Sequence, residues 1–261
     1  FFYDLKVEGH EDKRYAKIMN SFLRRMSEEQ RKAWDAAYKP KNEAFLKSNL
    51  QGRDLVRWKY QRYVKDYLRC VAAVDDGVGR ILKSLDKLGL SENSIVIYSS
   101  DQGFYLGEHG WYDKRWIYEE SLKMPLVMRW PGKIKAGTQI TQLTQNIDFA
   151  PFFLEAAGTI IPKEMQGRSL MPLLQNQDAK WRKDIYYHYY EAGGHGVPAH
   201  YGIRGERYKL VHFPRSAEWN LIDLQEDPRE MRSEHENPEY ENTLREMKAR
   251  LASLRRKYEL Q

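Results

Sequence analysis

The longest pattern in the chain is helical. Between residues 54 and 88, Tyr60, Tyr63, Val64, Tyr67, Leu68, Val71, Val74, Val78, Ile81, Leu82, Leu85 and Leu88 recur at steps of three and four. This predicts one long amphipathic helix stopped by Gly89, with a kink at Gly77 and Gly79. Cys70 falls on its apolar side, where a buried structural thiol is expected. Upstream, Ile18, Phe22, Leu23 and Met26 give a shorter helical stripe, and Ser27-Glu28-Glu29-Gln30 has the form of a capping box that starts a second helix. Lys39-Pro40-Lys41 is expected to interrupt that path, because proline lacks the donor a helix interior needs.

Beyond Gly89 the period shortens. Residues 95–99, an apolar β-branched run, and residues 126–130, following Pro125 at their start, read as buried strands. Asp148 is placed to cap a short helix that runs through Glu155 and ends at Gly158, with Pro151 in its first turn. Strands alternating with helices predict an α/β architecture with a mostly parallel sheet flanked by helices. After residue 178 the texture changes to short aromatic strands at 185–190, 200–204, 208–213 and 219–224, with Gly205-Glu206 as the turn of the middle hairpin. A final helix over 238–258 carries Leu244, Met247, Leu251 and Leu254 on one face. The expected division is therefore an α/β domain over 1–177 and a small antiparallel sheet covered by one helix over 178–261.

Composition narrows the partners. The net charge of +6 favours anionic ligands, but Lys and Arg are interspersed with acids, so a nucleic-acid stripe is unsupported. No apolar run is long enough to cross a bilayer, and no membrane partner is expected. One cysteine excludes an internal disulfide framework without fixing the compartment.

The candidate chemistry sits where the strand at 95–99 stops. Ser99-Ser100-Asp101-Gln102-Gly103 is followed by Gly107-Glu108-His109-Gly110 and by Lys114-Arg115. In α/β proteins the carboxyl end of a buried strand opens on the ligand crevice. Oxygen donors there suit a hard divalent cation, and a nearby lysine suits the anion it holds. The plain alternative is an Asx turn with a solvated lysine beyond it.

The surrounding motifs resemble those of the type I, formylglycine-dependent sulfatases of the alkaline phosphatase superfamily. They include Val74-Asp75-Asp76-Gly77-Val78-Gly79-Arg80, the Asp101-Gln102-Gly103 segment and Gly107-Glu108-His109-Gly110 with Lys114. Met124-Pro125-Leu126-Val127 with Trp130-Pro131-Gly132, Asn146-Ile147-Asp148, Gly167-Arg168-Ser169-Leu170 and Tyr201-Gly202-Ile203-Arg204 follow in order. The resemblance implies an alkaline-phosphatase-like fold and Ca²⁺ held in part by Asp101 and Gln102, the second position being more often Asn or His. It also implies that Lys114 is the catalytic, sulfate-binding cation. Arg115, His109, His195 and His200 become candidates for substrate contact. For His109 loop structure is the competing role, and for His195 and His200 plain packing. His188, alternating with tyrosines, reads as a satisfied sheet histidine.

No Cys-x-Pro-x-Arg or Ser-x-Pro-x-Arg motif for the formylglycine occurs in these 261 residues. The resemblance therefore implies the C-terminal half of such an enzyme, with the N-terminal half or a second chain supplying the nucleophile and the remaining metal ligands. The expected parent is a periplasmic or secreted sulfuric ester hydrolase acting on a sulfated saccharide of glycosaminoglycan type. The alternatives are a phosphoester or phosphonate monoesterase of the same superfamily, and a non-catalytic anion- or glycan-binding fragment.

Overall fold

A computed structural model describes residues 13–112, 114–175, 179–191 and 194–258. The backbone gathers into two compact units, and the boundary expected at 177/178 lies outside the described residues. The first unit holds residues 13–84 and Leu106–Tyr112, and the second holds Leu85–Tyr105 and the chain from 114 onward.

The first unit is helical: α1 (Lys13–Leu23), α2 (Glu28–Ser48) and α3 (Gly52–Lys87), whose last turn enters the second unit. The capping box forms as expected. Ser27 Oγ accepts from Gln30 N at 3.2 Å, and the Gln30 carboxamide accepts from Ser27 N at 2.9 Å. Pro40 does not interrupt the path, because α2 runs straight through it. Contacts on both sides of the proline hold α2 against α3 and outweigh the missing backbone bond. Tyr38 Oη donates to Asp66 at 3.0 Å, Arg62 donates to Asn42 at 3.0 Å, and Phe45 stacks on Trp58 at 3.9 Å. Helix α3 is a single 36-residue element, so Gly77 and Gly79 do not break it. Its apolar stripe is open: Leu68, Val71, Val74 and Ile81 are exposed, and Cys70 is exposed rather than buried.

The second unit begins with β1 (Val96–Ser99), α4 (Glu119–Leu122) and β2 (Leu126–Arg129). Although a parallel arrangement was expected here, β1 and β2 pair antiparallel, with Tyr98 opposite Val127. The connection contains only the four-residue α4, not the crossover helix that parallel neighbours require. Ile95, Ile97, Leu126 and Met128 pack on the cluster of Phe152 from α5 (Phe149–Ala156), Leu173 from α6 (Met171–Gln175) and Leu170 just before α6. Asp148 precedes α5, but its carboxylate does not cap it. Fully buried, the group accepts from Gln145 N and Arg168 N at 2.8 Å each and forms a two-pronged ion pair with Arg182.

The remainder is a four-stranded antiparallel meander of β3 (Asp184–Tyr189), β4 (His200–Gly205), β5 (Tyr208–Phe213) and β6 (Glu218–Asp223). Gly205 still pairs with Asp184, so the β4–β5 turn falls one residue later, at Glu206-Arg207. Helix α7 (Glu241–Lys257) covers one face, burying Met247 and Leu251 against Ile203, Leu210 and Leu221, as its apolar spacing predicts.

Candidate active site

Strand β1 delivers its two oxygen-bearing side chains at its carboxyl end. Asp101 is exposed and Gln102 half-buried. Asp101 Oδ1 accepts from the Gln102 backbone N–H at 3.1 Å, while Oδ2 and the Gln102 carboxamide make no hydrogen bond among the described residues. This bond reaches the next residue rather than the one two positions on, as an Asx turn would, and it occupies only one of the two oxygens. Asn146, just before α5, donates from Nδ2 to the Asp101 carbonyl at 2.9 Å and fixes the segment from behind. A carboxylate and a carboxamide oxygen are donors a hard cation accepts. They form a minority of the six to eight oxygens Ca²⁺ takes, and no group of three acidic, His or Cys side chains able to hold a metal occurs among the described residues.

Gly103 carries the chain onward in close contact with α4. Its N–H donates to the Ser121 carbonyl at 2.7 Å, and a Cβ here would stand 2.0 Å from the Glu120 carbonyl oxygen, so only glycine fits. Ser121, itself buried, donates from Oγ to the Lys114 carbonyl at 2.5 Å. The next carbonyl, that of Arg115, accepts from Tyr187 Oη on β3 at 2.6 Å. Lys114 and Arg115 are both half-buried, and their backbone is held from two separate elements.

Beneath α4 lies a buried ionic cluster. Lys209 on β5 has no exposed surface, and its Nζ stands 2.5 Å from Glu230 Oε1 and 2.9 Å from Glu119 Oε1. Arg204 on β4 pairs with the other Glu119 oxygen at 3.0 Å, and Glu230 Oε2 accepts from the Glu119 backbone N–H at 2.5 Å. Burial alone would raise the Glu119 carboxyl, but Arg204 and Lys209 hold it down at about 2. Arg204, singled out by its motif, is thus committed to fixing α4. Nothing in the sequence pairs it with Glu119, 85 residues away.

The histidines separate. His200 was placed among the candidates for substrate contact; its ring is wholly enclosed, with Trp116, Tyr187 and Phe213 each 5.5 Å away. Direct contact is closed to it unless this aromatic wall moves. Its Nδ1 lies 2.8 Å from the Pro198 carbonyl, which can only accept, so Nδ1 carries the proton and Nε2 is an acceptor with no hydrogen-bond partner among the described residues. Burial pushes its pKa down. His195 is exposed, on a left-handed residue with φ 60°. His188 accepts or donates at Nδ1 to Tyr186 Oη at 3.1 Å and stacks on Tyr190, as a sheet histidine should. His109 belongs to the first unit, where φ is 55° and its ring stacks on Trp111 at 5.7 Å. Its loop packs Gly107 against the Tyr60 ring.

This strand end, on an antiparallel pair backed by α5 and α6, belongs to a mixed α/β architecture of the alkaline-phosphatase-like fold. Residues 7–159 match the family model "Sulfatase", and 107–257 match "N-sulphoglucosamine sulphohydrolase, C-terminal". The chain belongs to the sulfatase family. It is 44% identical over 263 residues to an N-acetylglucosamine-6-O-sulfatase of Bacteroides thetaiotaomicron, covering 98% of this chain and 47% of the relative. It is similar, at TM-score 0.88 and 45% identity over 92% of this chain and 49% of the other, to a structure solved in complex with its substrate D-glucosamine-2-N,6-O-disulfate. A phosphonate monoester hydrolase from Silicibacter pomeroyi is similar at TM-score 0.69 and 25% identity, over 80% of this chain and 43% of that one. The chain spans about half the length of the relatives it matches.

Proposed function

We propose that the full-length protein is a sulfuric ester hydrolase that removes sulfate from a sulfated glucosamine-type saccharide. The observation that carries the reading is the Asp101–Gln102 pair: two oxygen donors at a strand end, with Asp101 Oδ2 and the Gln102 carboxamide making no hydrogen bond among the described residues and the Asp101 carbonyl held by Asn146. The 44% identity to an N-acetylglucosamine-6-O-sulfatase supports the substrate class.

Asp101 and Gln102 would hold a divalent cation, Ca²⁺ by its preference for oxygen donors. Bound there, it would polarise the sulfuryl oxygens and stabilise the charge they gain. Lys114 places a second positive charge on the same group, from a backbone that is already fixed, so little reorganisation is needed as charge develops. Arg115 and exposed His195 are the candidates for contact with the sugar, while His200 supports the wall behind it. His109 shapes its own loop. The formylglycine and the other ligands would come from sequence outside these residues, in the same protein or a second chain, and we place the enzyme in the periplasm or outside the cell. The chain similarity to phosphonate monoester hydrolases supports a second reading, in which the same site takes a phosphonate ester.

The test is a substrate comparison with purified full-length protein: glucosamine 6-sulfate, 4-nitrophenyl sulfate and a phenyl phosphonate monoester, with and without chelator. Chelator-sensitive release of sulfate from the sugar is the expected result. Turnover of the phosphonate alone would overturn it in favour of the second reading.

A further inference from the structure

Lys114 sits in an irregular segment shortly before α4, and a lysine on such a segment has many places to be. Two hydroxyls remove that freedom. Ser121 Oγ, on α4, donates to the Lys114 carbonyl at 2.5 Å, and Tyr187 Oη, on β3, donates to the Arg115 carbonyl at 2.6 Å. The two donors come from elements 66 residues apart in sequence (187 − 121), so the segment is held at consecutive peptide groups from two directions.

Ser121 does a second thing. Its carbonyl accepts the Gly103 N–H at 2.7 Å, directly after Asp101 and Gln102. One buried residue therefore bonds both to the strand end that carries the oxygen donors and to the segment that carries the cation. The α4 platform is itself anchored, through Glu119, on the buried Lys209 and Glu230.

We propose that Ser121 and Tyr187 are positioning residues, a two-point hydroxyl clamp that fixes the Lys114 backbone relative to Asp101 and Gln102. The proposal rests on the sulfatase reading of Lys114 given above. Neither hydroxyl reaches the reacting atoms. Each acts by keeping the ammonium group within reach of the sulfuryl oxygens, where a misplacement of about 1 Å is enough to cost roughly a hundredfold in rate.

The experiment compares Ser121→Ala, Tyr187→Phe and Lys114→Ala, singly and paired with Lys114→Ala, in the full-length protein. It measures kcat and KM on 4-nitrophenyl sulfate, metal content, thermal midpoint, and calorimetric binding of inorganic sulfate. Each single hydroxyl deletion is expected to lower kcat/KM by about ten- to a hundredfold and to weaken sulfate binding, with metal content kept. In the Lys114→Ala background the same deletions should cost nothing further, because the group they position is gone. Ser121→Thr, which keeps the donor, should recover most of the loss. Unchanged kinetics in both hydroxyl variants, or losses that multiply with that of Lys114→Ala, would overturn the clamp while leaving the lysine's role intact. Wild-type activity and sulfate binding in Lys114→Ala would remove that role and the clamp with it. Should Ser121→Ala fail to fold, Tyr187→Phe alone still decides between these results, since it deletes one oxygen and leaves the ring packing.

Discussion

Asp101 and Lys114 are held through their main chains, which leaves their side-chain chemistry to be tested separately. Replacing Asp101 by Ala in the full-length protein should remove the bound metal and abolish activity together; elemental analysis beside a rate assay checks this. Full metal occupancy in the active variant would withdraw the ligand assignment. Lys114→Ala should leave the metal and cost on the order of 10²–10³ in kcat/KM, comparable to losing one oxyanion donor. The sequence singles these residues out by type and order, acid and amide at a strand end and then a lysine after a glycine-rich loop, while the roles proposed for them come from the family resemblance. Asn146, Ser121, Tyr187 and Glu119 were not. Their work is done through bonds to backbone, or to side chains far along the chain, such as Asn146 to Asp101 over 45 residues and Tyr187 to Arg115 over 72. Sequence spacing carries no trace of such pairs.

Among the elements, local signals were reliable where the bonds are local. The capping box at Ser27 closes within four residues, and Ser27→Ala should destabilise the helical unit by about 1 kcal/mol, read from its denaturant midpoint. The strands of the aromatic meander and the face of α7 were equally readable, since period and burial coincide there. Pro40 misled because tertiary contacts on both sides override the local preference, and Asp148 because a residue suited to capping was claimed by Arg182 instead. The meander also carries a pH prediction. Burial lowers the pKa of His200, and desolvation lowers those of His188 and His212. A histidine depressed in the folded state takes up its proton more readily when unfolded. Stability from these groups is therefore complete above the unfolded value of about 6.5 and declines as pH falls below it. Thermal midpoints should drop between pH 7 and 5, and His200→Asn should flatten that slope. An unchanged midpoint over this range would show that the three rings are solvated.

At the scale of the whole molecule, each unit by itself leaves apolar surface that water would not favour. On the first, α3 exposes Leu68, Val71, Val74 and Ile81 at 53%, 43%, 49% and 63%, along the stripe that its periodicity marks for burial. On the second, the β1–β2 pair is covered on one face by α5 and α6, while on the other Tyr98 and its register partner Val127 stand 42% and 63% exposed. Surfaces of this kind in a sulfatase-family chain that spans about half its relatives are expected to be covered by further protein. Two outcomes are therefore expected of the purified 261-residue chain. It should associate or aggregate as its concentration rises, seen by sedimentation velocity, because exposed apolar faces and a two-stranded sheet edge offer contacts to other copies. It should also show no measurable turnover of 4-nitrophenyl sulfate, since the proposed ligands Asp101 and Gln102 would supply only a minority of a Ca²⁺ shell and no formylglycine motif occurs in these residues. Joining the chain to the sequence that carries the formylglycine motif should restore both a single sedimenting species and sulfate release. A monomeric chain that hydrolyses the ester unaided would mean that the 261 residues contain a complete active site of a different composition, and would reopen the assignment of Asp101, Gln102 and Lys114.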